Sequence, residues 1–268
     1  IADFRAINAA LNAPPTAQTN RIDPRFTGVT LNESSANSNF HSMQAKFART
    51  FRSGLGFTAA YTVSKSIDDV SDVLGVLATD TPAQQDPNNN RNNRGVSAFD
   101  VPQRFVVTHS YDLPKFAGSA AALRHVAGGW NLSGIFSLQS GFPLNIVSGA
   151  RMALPDPTLL GGNGQVRPNV NGALNLKFEP NPGTVPAAIQ KVANSNLTQP
   201  LIGNFGNLGR NVIRINGTTL YDMTLQKDFL FTERYKLQLQ SQFGNLFNNT
   251  SFSRPGSSLA APATFGFY

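Results

Sequence analysis

The sequence predicts an all-β fold, the partial wall of an antiparallel transmembrane β-barrel with six to seven strands and long extracellular loops. Three observations predict it. Apolar and polar residues alternate with a period of two along several long segments, as on strands with one oily and one wet face. Short and long connections follow one another in turn between these segments. The charged fraction is only 14 %, while the hydrophobic fraction is an ordinary 40 %.

Six segments carry the alternation clearly, and each is long enough for a membrane-crossing strand. Strands of about 12 residues that rise ~3.3 Å per residue and tilt near 40° reach ~30 Å, which spans a bilayer core. The first two form a hairpin around the turn Arg52-Ser53-Gly54, and residues 26–31 are a weaker seventh candidate. The six predicted strands are residues 39–51, 55–66, 101–113, 129–140, 218–229 and 235–247.

The connections alternate in length. Residues 52–54 and 230–234 are tight turns and residues 114–128 a modest one, whereas residues 67–100 and 141–217 are long and rich in Asn, Gly, Pro and Asp. Bacterial outer-membrane barrels have short periplasmic turns and long outer loops. The second, fourth and sixth strands are therefore predicted to run outward. A soluble β-sandwich also alternates, but loops of this length are unusual within a compact domain.

Composition narrows the function classes. No stretch approaches the roughly 18 continuous apolar residues of a membrane helix. The net charge is +7, but the basic residues are scattered and show no aromatic RNA-binding signature, which argues against nucleic acid as a partner. The chain has no cysteine, so it offers neither a disulfide framework nor a thiolate metal site.

Strand parity predicts which wall residues face a water-filled lumen. Two interpretations are open: these side chains surround a plug and take part in substrate passage, or they are polar because any water-facing wall is polar. The predicted lumen-facing residues are Lys46, Arg104, Gln139, Asp222, Gln226, Lys236, Gln238 and Gln240.

Two arginines are the candidate ligand contacts of the loops. Arg210 and Arg214 lie in and after a Gly/Asn-rich run, residues 203–211, which lacks the spacing of a phosphate-binding loop. They are predicted to contact an anionic ligand or lipopolysaccharide phosphate, or alternatively to pair with loop carboxylates. The run itself is interpreted as a turn-rich loop re-entering the wall.

Acidic and histidine residues are the candidate metal ligands of this sequence. Asp68, Asp69 and Asp72 open one outer loop, and a calcium site there is conceivable. Their spacing does not match an EF-hand, so solvated loop carboxylates are the favoured interpretation, also for Asp80, Asp86 and Asp100. His109 is interpreted as a residue tolerated on the apolar face. The sequence predicts no catalytic, cofactor-binding or metal-binding residue, and hence no enzyme.

Aromatic residues lie near both predicted ends of the strands. Trp130 and Tyr235 are at the periplasmic ends, and Phe142, Phe247 and Phe252 are near the outer ends. Amphipathic rings prefer the headgroup level of a bilayer. The alternative is that aromatic residues simply favour strands.

Six short motifs carry a family resemblance. Together they resemble the barrel of TonB-dependent outer-membrane receptors, specifically the Oar-like group with a carboxypeptidase-regulatory-like domain. Each motif alone is weak, but their order and spacing extend over nearly the whole chain. The motifs are SNFHSMQ (38–44), AYTVSKSIDD (60–69), DVPQRF (100–105), SGFP (140–143), GNLGRN (206–211) and QFGNLFN (242–248).

The resemblance implies a Gram-negative outer-membrane protein with a complete barrel of about 22 strands. Residues 1–268 would be the C-terminal part of the barrel domain, without the plug and without the final strand. The implied partners are outer-membrane lipid and lipopolysaccharide, the plug of the same polypeptide, the TonB complex acting through that plug, and a small ligand. The implied function is ligand binding and energised uptake, with no cofactor. The alternatives are a passive structural or surface-attachment barrel, or a secreted glycan-binding β-sandwich.

Overall fold

A computed structural model describes most of the chain, and its residues fall into a long antiparallel sheet and a group of packed loops. No helix among them is long and apolar enough to cross a membrane. The described residues are 34–71, 85, 89–116, 118, 120, 125–148, 166–174, 178–179, 191–192, 196–201, 204–230, 234–262 and 264–266. The candidate strand at residues 26–31 lies outside them.

Six long strands pair in chain order, each antiparallel to the next, and form an open wall. This confirms the predicted all-β antiparallel fold. The outermost strands do not pair with each other, so the described part of the chain does not close a barrel. The wall strands are β1 (Ser38–Arg52), β2 (Leu55–Asp68), β4 (Gln103–Asp112), β5 (Trp130–Gln139), β12 (Thr218–Leu230) and β13 (Lys236–Phe243).

Short strands lie in the long connections, together with a 3₁₀ helix at Asn90–Asn93. The first of them pairs with β2 and extends the wall beyond its rim. The short strands are β3 (Gly95–Val96), β6 (Pro143–Leu144), β7 (Asn169–Val170), β8 (Phe178–Glu179), β9 (Lys191–Val192), β10 (Leu197–Thr198) and β11 (Ile213–Arg214).

The β1–β2 turn is as tight as predicted. Ser53 and Gly54 both take left-handed backbone angles, with φ of 55° and 81°. Two successive residues of this kind match the twist of a hairpin, and glycine adopts such angles without strain. Asp112 of the neighbouring β4 donates its N–H to the Gly54 carbonyl at 2.7 Å, which ties the turn to the next strand.

The last predicted strand extends too far in the sequence-based assignment. It ends at Phe243 rather than at residue 247. Asn245 has a φ of 48°, and its N–H is bonded to the Asp222 carboxylate at 2.8 Å. The Leu246 N–H then returns to the Tyr221 carbonyl at 2.7 Å. The left-handed conformation of Asn245 therefore ends the strand, although the apolar and polar residues of the sequence continue to alternate up to residue 247.

The apolar face of the wall is exposed. Phe47 and Leu239 leave 66 % and 50 % of their surfaces uncovered, and Met43 and Leu237 are similarly exposed. No second sheet packs on this face among the described residues, since the other sheets there are two-stranded pairs. A soluble sandwich buries such a face against its partner sheet. The β-sandwich alternative is therefore wrong for this wall.

Candidate functional site

The long connections pack together beyond one end of the wall. We call the described residues of 69–102, 140–217 and 244–266 the loop cap. Its apolar core draws side chains from segments far apart in the chain, so the loops form one packed unit. The buried core residues are Leu144, Ile146, Leu197, Leu208, Ile213 and Phe265.

Backbone pairing joins the segments of the loop cap. Ile213 of β11 pairs with Leu144 of β6, which places both core side chains together. Val147 donates its N–H to the Ser257 carbonyl at 3.0 Å, and Ser148 donates to the Val166 carbonyl at 2.7 Å. These bonds satisfy polar groups that burial would otherwise leave without partners.

The first buried ion pair joins Arg210 to Asp68, the last residue of β2. Their side chains are only 5 % and 3 % exposed. The Arg210 Nη2 group donates to the Asp68 carboxylate and also to its main-chain oxygen at 2.7 Å. Ser71 Oγ donates to the same carboxylate at 2.9 Å. A loop of the cap is thus held to the rim of the wall by a charged contact from which water is excluded.

The second ion pair joins Arg214, whose side chain is 29 % exposed, to Asp100, which lies just before β4. The Asp100 side chain is completely buried and accepts the Ser66 N–H at 2.6 Å. Arg214 Nη2 donates to the carboxylate, and its Nη1 donates to the carbonyls of Asp100 at 2.9 Å and Gly141 at 3.2 Å. One guanidinium therefore connects the rim ends of β2, β4 and β5.

A third arginine, Arg167, organises the interior of the loop cap. It is buried, and its Nε donates to the Leu208 carbonyl at 2.7 Å. Its Nη1 donates to Asn93 Oδ1 at 3.3 Å, and its N–H donates to Gln85 Oε1 at 2.7 Å. Sequence reasoning missed this residue, because no local pattern surrounds it and its partners lie some 41 to 82 positions away.

Gly206 lies where two loops of the cap come into close backbone contact. A Cβ on Gly206 would lie 1.9 Å from the Arg167 carbonyl oxygen, a distance that no side chain could occupy. Glycine is needed here because two backbones meet. Gly206 opens the motif that also contains Arg210, so this motif supplies both a close contact and a buried charge.

The strand registers place all eight predicted lumen residues on one face of the wall. Arg104 of β4 lies directly opposite Gln139 of β5, and Gln226 of β12 lies opposite Gln240 of β13. Lys46 lies on the same face. It pairs with Ala60 of β2, which is two residues from Thr62, and Thr62 pairs with Arg104. The exposed Lys236 Nζ lies 2.7 Å from the Asp228 carboxylate, and Gln238 donates to the same group at 3.0 Å. That this polar face borders a lumen stays a prediction.

Histidine 109 lies on the opposite, apolar face. Its Nε2 is 2.8 Å from the hydroxyl of Tyr221, and the two rings stack with centroids 5.8 Å apart. Gly134 lies between them in the register, and a Cβ there would come within 2.8 Å of His109 Nε2. The missing side chain leaves room for the two polar groups to satisfy each other on a mostly apolar surface.

Comparison with known protein families shows to which family this architecture belongs. The family described as outer membrane beta barrel domain matches the chain over residues 1–268. The chain belongs to this family. No match was found among curated proteins or solved structures. The protein is therefore an outer-membrane β-barrel protein, and its exposed apolar face is the one that a bilayer can cover.

The two candidate arginines of this outer-membrane barrel domain are already engaged by carboxylates. This is the second of the two roles predicted for Arg210 and Arg214. The buried Asp68 and Asp100 also correct the interpretation of these loop acids as solvated groups. Asp69 is buried as well, 3.7 Å from Arg94, whereas residues 72, 80 and 86 lie outside the described part of the chain. The correction arises because loops distant in sequence cover the rim.

The described residues contain no group of three or more His, Cys, Asp or Glu side chains that could hold a metal ion. Outer-membrane barrel families are generally non-enzymatic. The wall has one polar and one apolar face, and its loops are joined to its rim by buried charges.

Proposed function

We propose that this outer-membrane barrel domain is the wall and loop cap of a TonB-dependent receptor that takes up a small ligand with energy from the inner membrane. The loop cap would receive the ligand, and a plug within the complete barrel would move to let it pass. The two arginine ion pairs would keep the cap in one arrangement above the lumen.

The observation that carries this proposal is the open, polar-faced wall. Among the described residues, the six strands leave two edges whose backbone groups have no strand partner, and such edges do not occur in contact with lipid. The edge strands β1 and β13 are exposed along their whole length. Barrels of about 8 strands fill their interior with side chains, whereas 22-stranded transporters enclose a plugged lumen. A broad polar face with uncovered Lys46, Arg104 and Gln240 fits the larger kind.

The motifs that carry the family resemblance support the proposal in a second way. Asp68 lies in one motif, Asp100 begins another, and Arg210 belongs to a third. The Asp68–Arg210 pair joins two of these motifs, and Asp100 bonds to Ser66 within the first of them. Residues that resemble the receptor family thus lie together at the rim.

The complete reading frame is the first test. We expect upstream sequence that encodes a plug and a TonB-contacting segment, and downstream sequence that adds alternating strands. Cells would then be assayed for accumulation of three probes: a radioactive iron chelate, a fluorescent maltodextrin and a fluorescent hexapeptide. Accumulation of one probe that stops when TonB is deleted would support energised uptake. A frame without a plug would contradict the proposal.

A passive surface barrel is the second candidate, and one observation favours it. The loop cap has an apolar core of its own, as expected for loops that are displayed rather than opened. This function predicts that deletion of TonB changes neither probe accumulation nor the protease resistance of the loop cap.

A further inference from the structure

Lys227 occupies an unexpected place on the wall. It pairs with Trp130 across the β5–β12 register, and its parity is that of Met223 and Leu225 on the apolar face. A lysine on the lipid side of a barrel is costly at the bilayer midplane and much less so near the interface. Lys227 lies close to the end of β12 where the short turns are, yet it is only 5 % exposed.

The ammonium group of Lys227 is saturated by backbone carbonyls. It donates to the oxygens of His125 at 2.5 Å, Val126 at 3.1 Å and Gly128 at 2.6 Å. An ammonium has three donors, and these three acceptors use all of them. Residues 125–127 form a helical turn, whose last carbonyls lack partners within the turn and carry partial negative charge.

Two aromatic rings complete this contact. The Nζ atom lies 5.5 Å from the centre of the Trp130 ring and 5.0 Å from that of Phe229. Trp130 Nε1 also donates to the Val126 carbonyl at 2.9 Å. The turn is therefore held against the apolar face of the wall. Val126 itself is 70 % exposed, so an apolar side chain points away from the wall at this place.

We propose that residues 125–128 are a membrane-surface anchor, seated among the glycerophospholipids of the periplasmic leaflet, with Val126 inserted between their chains. Lys227 is a positioning residue for this anchor and does not itself bind lipid, because its donors are used within the protein. The partner is a lipid surface because the turn lies on the wall face that the bilayer covers. The periplasmic leaflet follows from the position of the turn at the short-turn end.

The test is photo-crosslinking in the complete protein in its native outer membrane. Benzoylphenylalanine would replace Val126, and the adduct on the corresponding peptide would be identified by mass spectrometry. We expect a glycerophospholipid adduct. The same probe at Leu239, on the apolar face, should also yield lipid, and at Lys46, on the polar face, it should not. Absence of a lipid adduct at Val126 while Leu239 yields one would overturn the proposal.

Other products are equally informative. A lipid A adduct at Val126 would place this end in the outer leaflet and overturn the proposal. A protein adduct would show that another polypeptide covers the turn, with the same consequence. None of these results depends on ligand uptake, so failure of the anchor and failure of the receptor function can be told apart.

The positioning role has its own test. Lys227→Met keeps an unbranched apolar stem of similar length but removes the ammonium group and its three donors. We expect the yield of lipid adduct at Val126 to fall severalfold, while the yield at Leu239 stays unchanged and reports an intact wall. An unchanged yield at Val126 in the Lys227→Met protein would refute the role of Lys227.

Discussion

The wall and the loop cap use ion pairs in opposite ways. On the polar face of the wall, the Lys236 and Asp228 side chains are 50 % and 37 % exposed. In the loop cap, the Arg210–Asp68 pair joins residues 142 positions apart and excludes water. Exposed pairs contribute little because solvent screens them. A buried pair makes each partner indispensable, because either charge alone would be stranded without water. Burial therefore decides the role of the contact, whereas the chemistry is the same.

Removal of one buried partner should break the loop cap. In Arg210→Met, Asp68 stays at the rim without its cation, and we expect the free energy of unfolding of the cap to fall by roughly 3–5 kcal/mol. Protease digestion of intact cells should then cut residues 204–216, while the wall keeps its heat-modifiable mobility on gels. The control adds Asp68→Leu, which removes both charges and should restore much of the resistance. Full protease resistance of the Arg210→Met variant would contradict the claim that the buried ion pair stabilises the cap.

Loss of core volume should weaken the cap somewhat less. Leu208→Ala opens a cavity in the apolar core, which costs about 2–5 kcal/mol. The temperature at which the loops become sensitive to protease should fall. Leu239→Ala is the matched control, since its side chain is half exposed on the wall and leaves no enclosed cavity. Equal effects of the two variants would mean that the cap has no packed core.

The two faces of the wall can be compared through neighbouring residues of β13. Leu239→Arg puts a charge on the apolar face, which costs about 2–4 kcal/mol at the bilayer midplane and less toward the interface, where Leu239 lies opposite Lys227. Gln240→Arg puts the same charge on the polar face and should be tolerated. The amount of folded, heat-modifiable barrel in outer membranes measures both. Similar losses in the two variants would reject the assignment of faces.

The smallest effect is expected at the exposed ion pair of the wall. Lys236→Met should change neither the heat-modifiable mobility nor the protease resistance of the loops, because the pair is open to solvent. Arg210→Met provides the positive comparison in the same assays. Instability of Lys236→Met comparable to that of Arg210→Met would show that burial does not govern these contacts.

The wall could be predicted because its information is local. Side chains alternate along any strand, so the parity of Arg104 or Gln240 follows from position alone. The β1–β2 turn was predictable for the same reason, since its residues are contiguous. The end of β13 was not, because the Asp222 contact with Asn245 is needed to stop the strand. The prediction that Asp68 is solvated was also wrong, because a loop distant in sequence covers its side chain.

The sequence by itself determined that the chain has a wall with two faces, since a period of two is a property of extended backbone and needs no partner. Only the tertiary structure decided which charges are buried. Arg210 meets Asp68, Arg214 meets Asp100, and Lys227 meets the turn at 125–128. These contacts depend on the path of the chain in space, because electrostatic pairing and loss of water act between neighbours whatever their separation in sequence.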